Sequence, residues 1–325
     1  MTTEPALRVL SLGAGVQSTA LLILAARGDL PRLDAAIFSD TGWEPKAVYD
    51  HLNRLEREVA APAGIPIYRV SSGNIRNDAL DPTARFATMP LYVLSPDGKD
   101  GMTRRQCTSE YKLKPIKRQV RELLGYPSPA RVPKGVHVEQ WIGISTDERD
   151  RALDADGNLK TGDVLFSRNR YPLLELDMSR DACRVLLTSA GFGSTPKSAC
   201  VGCPFHTNAQ WRNLRDNHPA EFADAVEFDA AIRQGSARAN ADGKPLRGTA
   251  YLHRSRVPLA DAPIDRVTFN EWASRQSNLL HEVALAEYEE SLAADDADQL
   301  GGCSPFSCRD GSDVDDEVEA APVPA

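Results

Sequence analysis

The chain has 325 residues, of which 42% are hydrophobic and 26% charged, and this composition is typical of a globular protein with one large or two modest domains. Its net charge is −8, but segment 291–325 alone holds nine acidic residues and one arginine, so the near-neutral remainder offers no bulk electrostatic case for nucleic-acid binding. The sequence has no apolar run of roughly 18 residues and no signal-peptide pattern at its start, so we expect a cytoplasmic protein without a membrane partner.

The first predicted elements are a strand, a glycine turn and a helix. A short apolar run over 7–12 suits a buried strand, small residues with Gly13 and Gly15 follow, and an apolar helix is predicted from Ala20. This order collects free backbone N–H groups at the positive end of a helix, which suits a phosphate. The turn matches neither the Walker loop nor a complete GxGxxG fingerprint. A purely packing role for its glycines is the alternative.

Two more strands and a helix are predicted over 33–70. Strand 33–41 ends in Asp40, Thr41 and Gly42, helix 46–60 follows, and strand 65–70 comes next. This alternation predicts parallel βαβ units. Asp40 then lies at the edge where ligands bind in open α/β sheets, or it only shapes the turn.

A long loop or lid is predicted over 74–101, followed by a basic stretch around Cys107. That stretch becomes helical near Pro115, and its cations are Arg104, Arg105, Lys112, Lys114, Lys117, Arg118 and Arg121. Cations around a thiol lower its pKa and attract phosphate, whereas the alternative is a solvated helix face.

A fourth strand is predicted over 138–145, again with charged residues at its end. Asp147 and Glu148 there either face a ligand or cap the next helix. Helices are predicted over 179–190, where Cys183 is expected to be packed, and over 211–234 and 268–290. Cys200 and Cys203 form a CxxC turn with the spacing of metal ligands or redox thiols.

In this order, the motifs resemble the PP-loop superfamily and, within it, the phosphoadenosine phosphosulfate (PAPS) reductase-like family. Relatives in this group include sulfate-assimilation reductases, tRNA thiolases and DNA phosphorothioation enzymes. Residues 13–18 resemble the SGGxDS loop, with Gly15 and Ser18 matching but Gly13 and Gln17 departing; PAPS reductases themselves often have Gln at the latter place. The other similar elements are DTG at 40–42, IGIRxDExxR at 142–151 and CxxCP at 200–204. Cys107 with Lys112 and Pro115 resembles the family's Cys-Cys…Lys-x-x-Pro element, but the second Cys of the pair is Thr108 here.

The resemblance implies an α/β fold with a Rossmann-like (adenine nucleotide alpha hydrolase-like) parallel sheet flanked by helices, and a mainly helical C-terminal part. We expect a nucleotide-binding domain over 1–175, a helical region with the CxxC turn over 176–290, and an acidic, disordered tail over 291–325.

The resemblance also implies an ATP-dependent sulfurtransferase that adenylates its acceptor and releases pyrophosphate. The alternatives are a PAPS or adenosine phosphosulfate reductase and an inactive nucleotide-binding module of a modification or defence system. The expected catalytic residues are Cys107, Lys112, Asp147 and Arg151. The expected nucleotide-binding residues are Ser11, Gly13, Gly15, Gln17, Ser18, Thr19, Asp40, Thr41, Gly42 and Gly143.

Cofactors and partners follow from the same resemblance. Cys107, Cys200 and Cys203 are expected to hold a [4Fe–4S] cluster, and Zn²⁺ bound with the help of His206 is the alternative, with no metal as the third option. Mg²⁺ is expected beside the phosphates, with Asp147 or Asp40 as ligand. The expected partners are an adenine nucleotide, a sulfur donor and an acceptor such as tRNA or DNA, and a homodimer is left open. Cys303 and Cys308 in the tail either relay sulfur or are inert.

Overall fold

The computed structural model describes residues 4–84, 89–162, 164–269 and 271–272, and these form two sheets. The eight strands of the described chain are β1 (Leu7–Leu12), β2 (Ala35–Asp40), β3 (Ile67–Ser71), β4 (Tyr92–Leu94), β5 (Asp100–Met102), β6 (Val138–Trp141), β7 (Ser167–Arg170) and β8 (Thr249–Tyr251). The large sheet has the order β3-β2-β1-β6-β7 and all its pairs are parallel; the small sheet, β5-β4-β8, is antiparallel.

The helices connect and cover these strands. The α-helices of the described chain are α1 (Val16–Arg27), α2 (Lys46–Leu55), α3 (Ile75–Leu80), α4 (Lys114–Leu123), α5 (Pro172–Glu175), α6 (Arg180–Ser189), α7 (Asn208–Asn217), α8 (Pro219–Ala231) and α9 (Ala237–Ala241). Two π-helical segments, Glu56–Ala60 and Thr108–Leu113, extend α2 and precede α4, and a 3₁₀ segment covers Thr146–Ala152.

Both faces of the large sheet are buried, as parallel sheets require. Helices α1, α2 and α6 form one apolar layer with Leu10 and Leu12 of β1. The opposite face packs Val9 and Ile37 against Ile116 and Val120 of α4. Strand β1 therefore carries apolar residues on both of its faces, because it is a central strand with a helix layer on each side.

A second apolar core lies beside the sheet. It joins Trp43 and α3 to helices α7 and α8, to strand β8 and to Met89 and Leu91, which precede β4. Trp211 and Phe228 are fully buried there. This core holds the segment with the CxxC turn, because Val201 packs into it.

The predicted α/β architecture is confirmed at the level of a five-stranded parallel sheet flanked by helices, an arrangement compatible with a Rossmann-like fold. The prediction of a loop over 74–101 is wrong, because α3, β4 and the start of β5 lie there and Tyr92 is buried. The single helix predicted over 211–234 is two helices, α7 and α8, which meet at His218 and Pro219.

One strand was not predicted, and several predicted features lie outside the described residues. The sequence analysis missed β7, whose residues SRNR carry no apolar pattern. Most of the predicted helix 268–290, the tail and Cys303 and Cys308 lie outside the described residues. Every helix in the described ranges is too short or too polar to cross a membrane.

Candidate functional site

The site lies where the order of the large sheet reverses. The chain runs outward from β1 through β2 to β3, and then returns to the other side of β1 as β6 and β7. Neighbouring loops at such a switch point leave in opposite directions, and the crevice there is the usual ligand position in open α/β sheets. Residues 13–18 and 142–146 are the loops at this position, and they contact each other, since the Gln17 side-chain amide lies 3.4 Å from the Ser145 hydroxyl.

The loop after β1, residues 13–18, is organised by Ser18. The Gly13 N–H donates to Ser18 Oγ (3.2 Å), and this hydroxyl donates to the Gly15 carbonyl (3.3 Å). Ala14 adopts a left-handed conformation with φ of 54°. Helix α1 starts at Val16 without a side-chain cap, so its first N–H groups have no intrahelical partner and are oriented to bind an anion.

Glu148 is the charged group in closest contact with this loop. It accepts a hydrogen bond from the Gln17 side-chain amide (3.0 Å) and pairs with Arg151 (2.8 Å). This contact gives a reason for Gln at position 17, where the SGGxDS loop that the chain resembles has Asp. An aspartate there would bring a second carboxylate against Glu148, whereas the amide of Gln17 donates to it.

Asp147 contacts the backbone at the start of α6. Its Oδ1 accepts a hydrogen bond from the Arg180 N–H (2.6 Å) at the first turn of α6. Ser179 caps the same helix by accepting from the Ala182 N–H. One oxygen of Asp147 therefore fixes α6 against the 3₁₀ segment, and its role toward a ligand stays a prediction.

Two small residues bring other segments close to the loop. A Cβ on Gly143 would lie 3.0 Å from the Ser18 nitrogen, so only glycine allows the chain after β6 to approach this closely. A Cβ on Gly15 would lie 3.2 Å from the Cβ of Ser198, which is buried over the loop. The segment that leads to the CxxC turn thus covers the glycine loop.

A buried carboxylate, Glu44, lies at the end of β2. Its side chain is 1% exposed and its Oε1 accepts from the Thr41 hydroxyl (3.0 Å) and the Cys200 thiol (3.6 Å). Lys112 Nζ lies 3.8 Å from the same oxygen and is also buried. Glu44 Oε2 is buried without a hydrogen-bond partner among the described residues. The cluster of Thr41, Glu44, Lys112 and Cys200 is called the thiol–carboxylate cluster below.

Asp40 shapes the turn that presents this cluster. Its Oδ1 accepts from the Gly42 N–H and the Tyr49 hydroxyl, both at 2.7 Å. Burial and this bond to Asp40 raise the pKa of Tyr49. Gly42 has φ of 73°, and a Cβ there would lie 2.9 Å from Cα of Asn74. The DTG sequence therefore has a local structural role as well as its position at the sheet edge.

The CxxC turn is fixed by Trp43 and His206. The Val201 N–H donates to the Trp43 carbonyl (2.8 Å), and a Cβ on Gly202 would lie 2.0 Å from the Trp43 ring. The Nε2 of His206 contacts the carbonyls of Cys200 (2.9 Å) and Val201 (3.1 Å). Burial, together with the charge of Lys197, lowers the pKa of His206 to about 4. The neutral ring therefore donates from Nε2 to the turn.

These contacts bear on the predicted metal centre. Cys107, Cys200 and Cys203 are all partly exposed thiols, and Cys107 packs against the core that contains Val201. No three His, Cys, Asp or Glu side chains within the described ranges form a group that could hold a metal ion, and His206 Nε2 is engaged by carbonyls. The [4Fe–4S] cluster and the zinc alternative therefore stay predictions.

Two residues predicted to bind the nucleotide have side chains engaged in the core. The Ser11 hydroxyl accepts from the side-chain amide of Gln140 (2.8 Å), and Thr19 Oγ1 lies 3.0 Å from Nε2 of His51. Both residues are buried. Cys183 is a packed thiol, as predicted, and burial raises its pKa to about 12.

The site also contains residues that are not among those predicted from the sequence. Glu44 follows the DTG sequence by two residues, and nothing in the neighbouring sequence indicates that its side chain is buried. Ser198 lies far from the loop in sequence, so only the fold reveals their contact. Glu148 was recognisable as part of the charged run after the fourth strand, but its contact with Gln17 was not.

Searches against models of protein families and against the curated proteins give no match for this chain. The resemblance to the PP-loop superfamily therefore rests on the motifs themselves and remains a prediction.

Proposed function

We propose that the protein is an ATP-dependent enzyme of sulfurtransferase type, with the adenine nucleotide alpha hydrolase-like fold of the PAPS reductase-like family. One observation carries the proposal: the glycine loop lies at the switch point of a parallel sheet, and the Ser198–Cys200 segment connects it to a partly exposed thiol. An anion site and a thiol in one crevice suit a reaction that activates an acceptor with a nucleotide and then transfers sulfur.

The residues of the chain have distinct roles in this proposal. The N–H groups at the start of α1 and the Ser18 hydroxyl bind the β and γ phosphates of ATP. Arg151 neutralises charge that develops on the leaving pyrophosphate. The acceptor oxygen attacks the α phosphorus, the bond to pyrophosphate breaks, and a sulfur nucleophile then displaces AMP. A nucleic acid such as tRNA or DNA is the acceptor class that the resemblance implies.

The thiol–carboxylate cluster forms the second half of the proposed site. Glu44 accepts from the Cys200 thiol, and Lys112 offsets the carboxylate charge. A [4Fe–4S] cluster, zinc and magnesium remain predictions from the resemblance, and metal analysis of anaerobically purified protein tests them.

Release of pyrophosphate from ATP in the presence of tRNA or DNA tests the proposal. Ser18→Ala should lower the rate by roughly ten- to a hundredfold, because a hydrogen bond to a charged group is lost. Ser189→Ala is the matched control, since Ser189 also donates to a carbonyl three residues back, on the exposed end of α6.

Three outcomes would replace this proposal. Sulfite produced from PAPS with a thiol donor would make the protein a reductase. Nucleotide binding without turnover would make it a binding module. Wild-type protein that binds neither ATP nor PAPS would contradict any nucleotide function.

A further inference from the structure

Arg180, the first residue of α6, lies beside the glycine loop and has no role so far. Its Nη1 is 3.7 Å from Glu148 Oε1, and the other oxygen of that carboxylate accepts from Gln17. The Glu148 carboxylate therefore lies between the Arg180 guanidinium and the loop. Its side chain is 21% exposed, so it is mostly enclosed and not freely solvated.

The hydrogen-bonding capacity of Arg180 is not used in this state. A separation of 3.7 Å is too long for a hydrogen bond, and the Nε of Arg180 is buried without a partner in the described chain. Arg151, in contrast, contacts Glu148 at 2.8 Å. A buried guanidinium N–H without an acceptor is costly, so this arrangement favours a ligand that supplies one.

The charges around the crevice are consistent with an anionic ligand. Arg151 and Arg180 share the single carboxylate of Glu148. Asp147 is the other nearby acid, and one of its oxygens is occupied by the backbone N–H of Arg180. A planar guanidinium that presents several N–H groups is well matched to phosphate oxygens.

We propose that Arg180 is a phosphate-binding residue of the loop site, which turns from Glu148 to the terminal phosphates of a bound nucleotide or to inorganic pyrophosphate. This inference rests on the proposed function, since it assigns a ligand to the same crevice. The Nε and Nη groups of Arg180 then donate to phosphate oxygens, and Glu148 keeps its bonds to Gln17 and Arg151.

Calorimetric titration of the full-length protein with inorganic pyrophosphate, and separately with ATP, tests this role. Arg180→Ala should weaken binding of both by roughly ten- to a hundredfold and reduce the salt dependence of the affinity. Arg180→Lys should recover part of the loss, because it restores the charge but not the fork of N–H groups.

Arg184→Ala is the matched control. Arg184 lies one turn further along α6, is largely exposed and pairs with Asp181 at 2.6 Å. It should bind both anions as the wild type does. Thermal unfolding of each variant separates lost binding from lost folding.

The outcomes distinguish this inference from the function on which it rests. Wild-type protein that binds neither pyrophosphate nor ATP would overturn both. Wild-type binding with an unchanged affinity in a folded Arg180→Ala variant would overturn the role of Arg180 alone.

Discussion

Glu44 shows how much one buried side chain can determine. Its carboxylate is almost completely enclosed, and its Oε1 contacts a hydroxyl, a thiol and an ammonium group. Removing one partner of a buried ion pair usually lowers stability more than replacing both partners with apolar residues, because the remaining charge stays buried without its partner. Glu44 therefore fixes Thr41 and Cys200 and also balances Lys112.

Glu44→Gln should lower the free energy of unfolding by about 3 kcal/mol or more, because Lys112 loses its buried carboxylate partner. Urea unfolding measures this change. Asp50→Asn is the control, since the Lys46–Asp50 pair is exposed and should contribute less than about 1 kcal/mol. Equal effects of the two substitutions would contradict a buried ion pair at Glu44.

The CxxC turn is an element whose shape depends on one glycine. Gly202 has no room for a side chain because the Trp43 ring occupies the space. Trp43 in turn contacts Phe228, with ring centroids 4.7 Å apart, and donates from its indole to Asp224. The turn thus packs against the second apolar core.

Gly202→Ala should destabilise the protein by about 1–3 kcal/mol or more, because the methyl group overpacks against Trp43. Gly101→Ala in β5 is the control, since a Cβ there lies 3.8 Å from the Cβ of Val93, an ordinary contact. Urea midpoints of the two variants provide the comparison. A Gly202→Ala variant as stable as the wild type would mean that the turn is not held against this ring.

The elements that the sequence predicted best are those with local patterns. Strand β1, helix α1 and the parallel order of the first three strands follow from apolar runs and a glycine turn. Strand β4 did not, because its three residues are stabilised by pairing with β8, where Tyr92 faces Tyr251. The glycine loop was predictable for the same local reason, whereas the contacts of Glu44 and Ser198 depend on segments distant in sequence.

On the scale of the whole molecule, three histidines whose pKa values are lowered in the folded protein link stability to pH. Burial is the main reason that the pKa values of His51, His206 and His253 are lowered from 6.5 to about 4. Between these values the unfolded chain binds protons that the folded chain does not. Stability is therefore fully present above pH 6.5 and decreases as the pH falls toward 4.

Each histidine should contribute a loss of up to about 1.4 kcal/mol per pH unit within that window. Urea unfolding across the window measures the slope. His51→Gln should make the slope shallower, because one of the three proton-linked groups is removed. A slope unchanged by this substitution would show that His51 does not contribute to the acid sensitivity.

The short spacing between Ser198 and Cys200 limits the distance between the glycine loop and the Cys200 thiol. Ser198 packs on the glycine loop, and Cys200 contacts Glu44. Two residues of chain span at most about 7 Å. This short backbone connection limits how far the loop and the thiol can separate without breaking contacts at one end. The glycine loop and the Cys200 thiol are therefore expected to move together rather than independently.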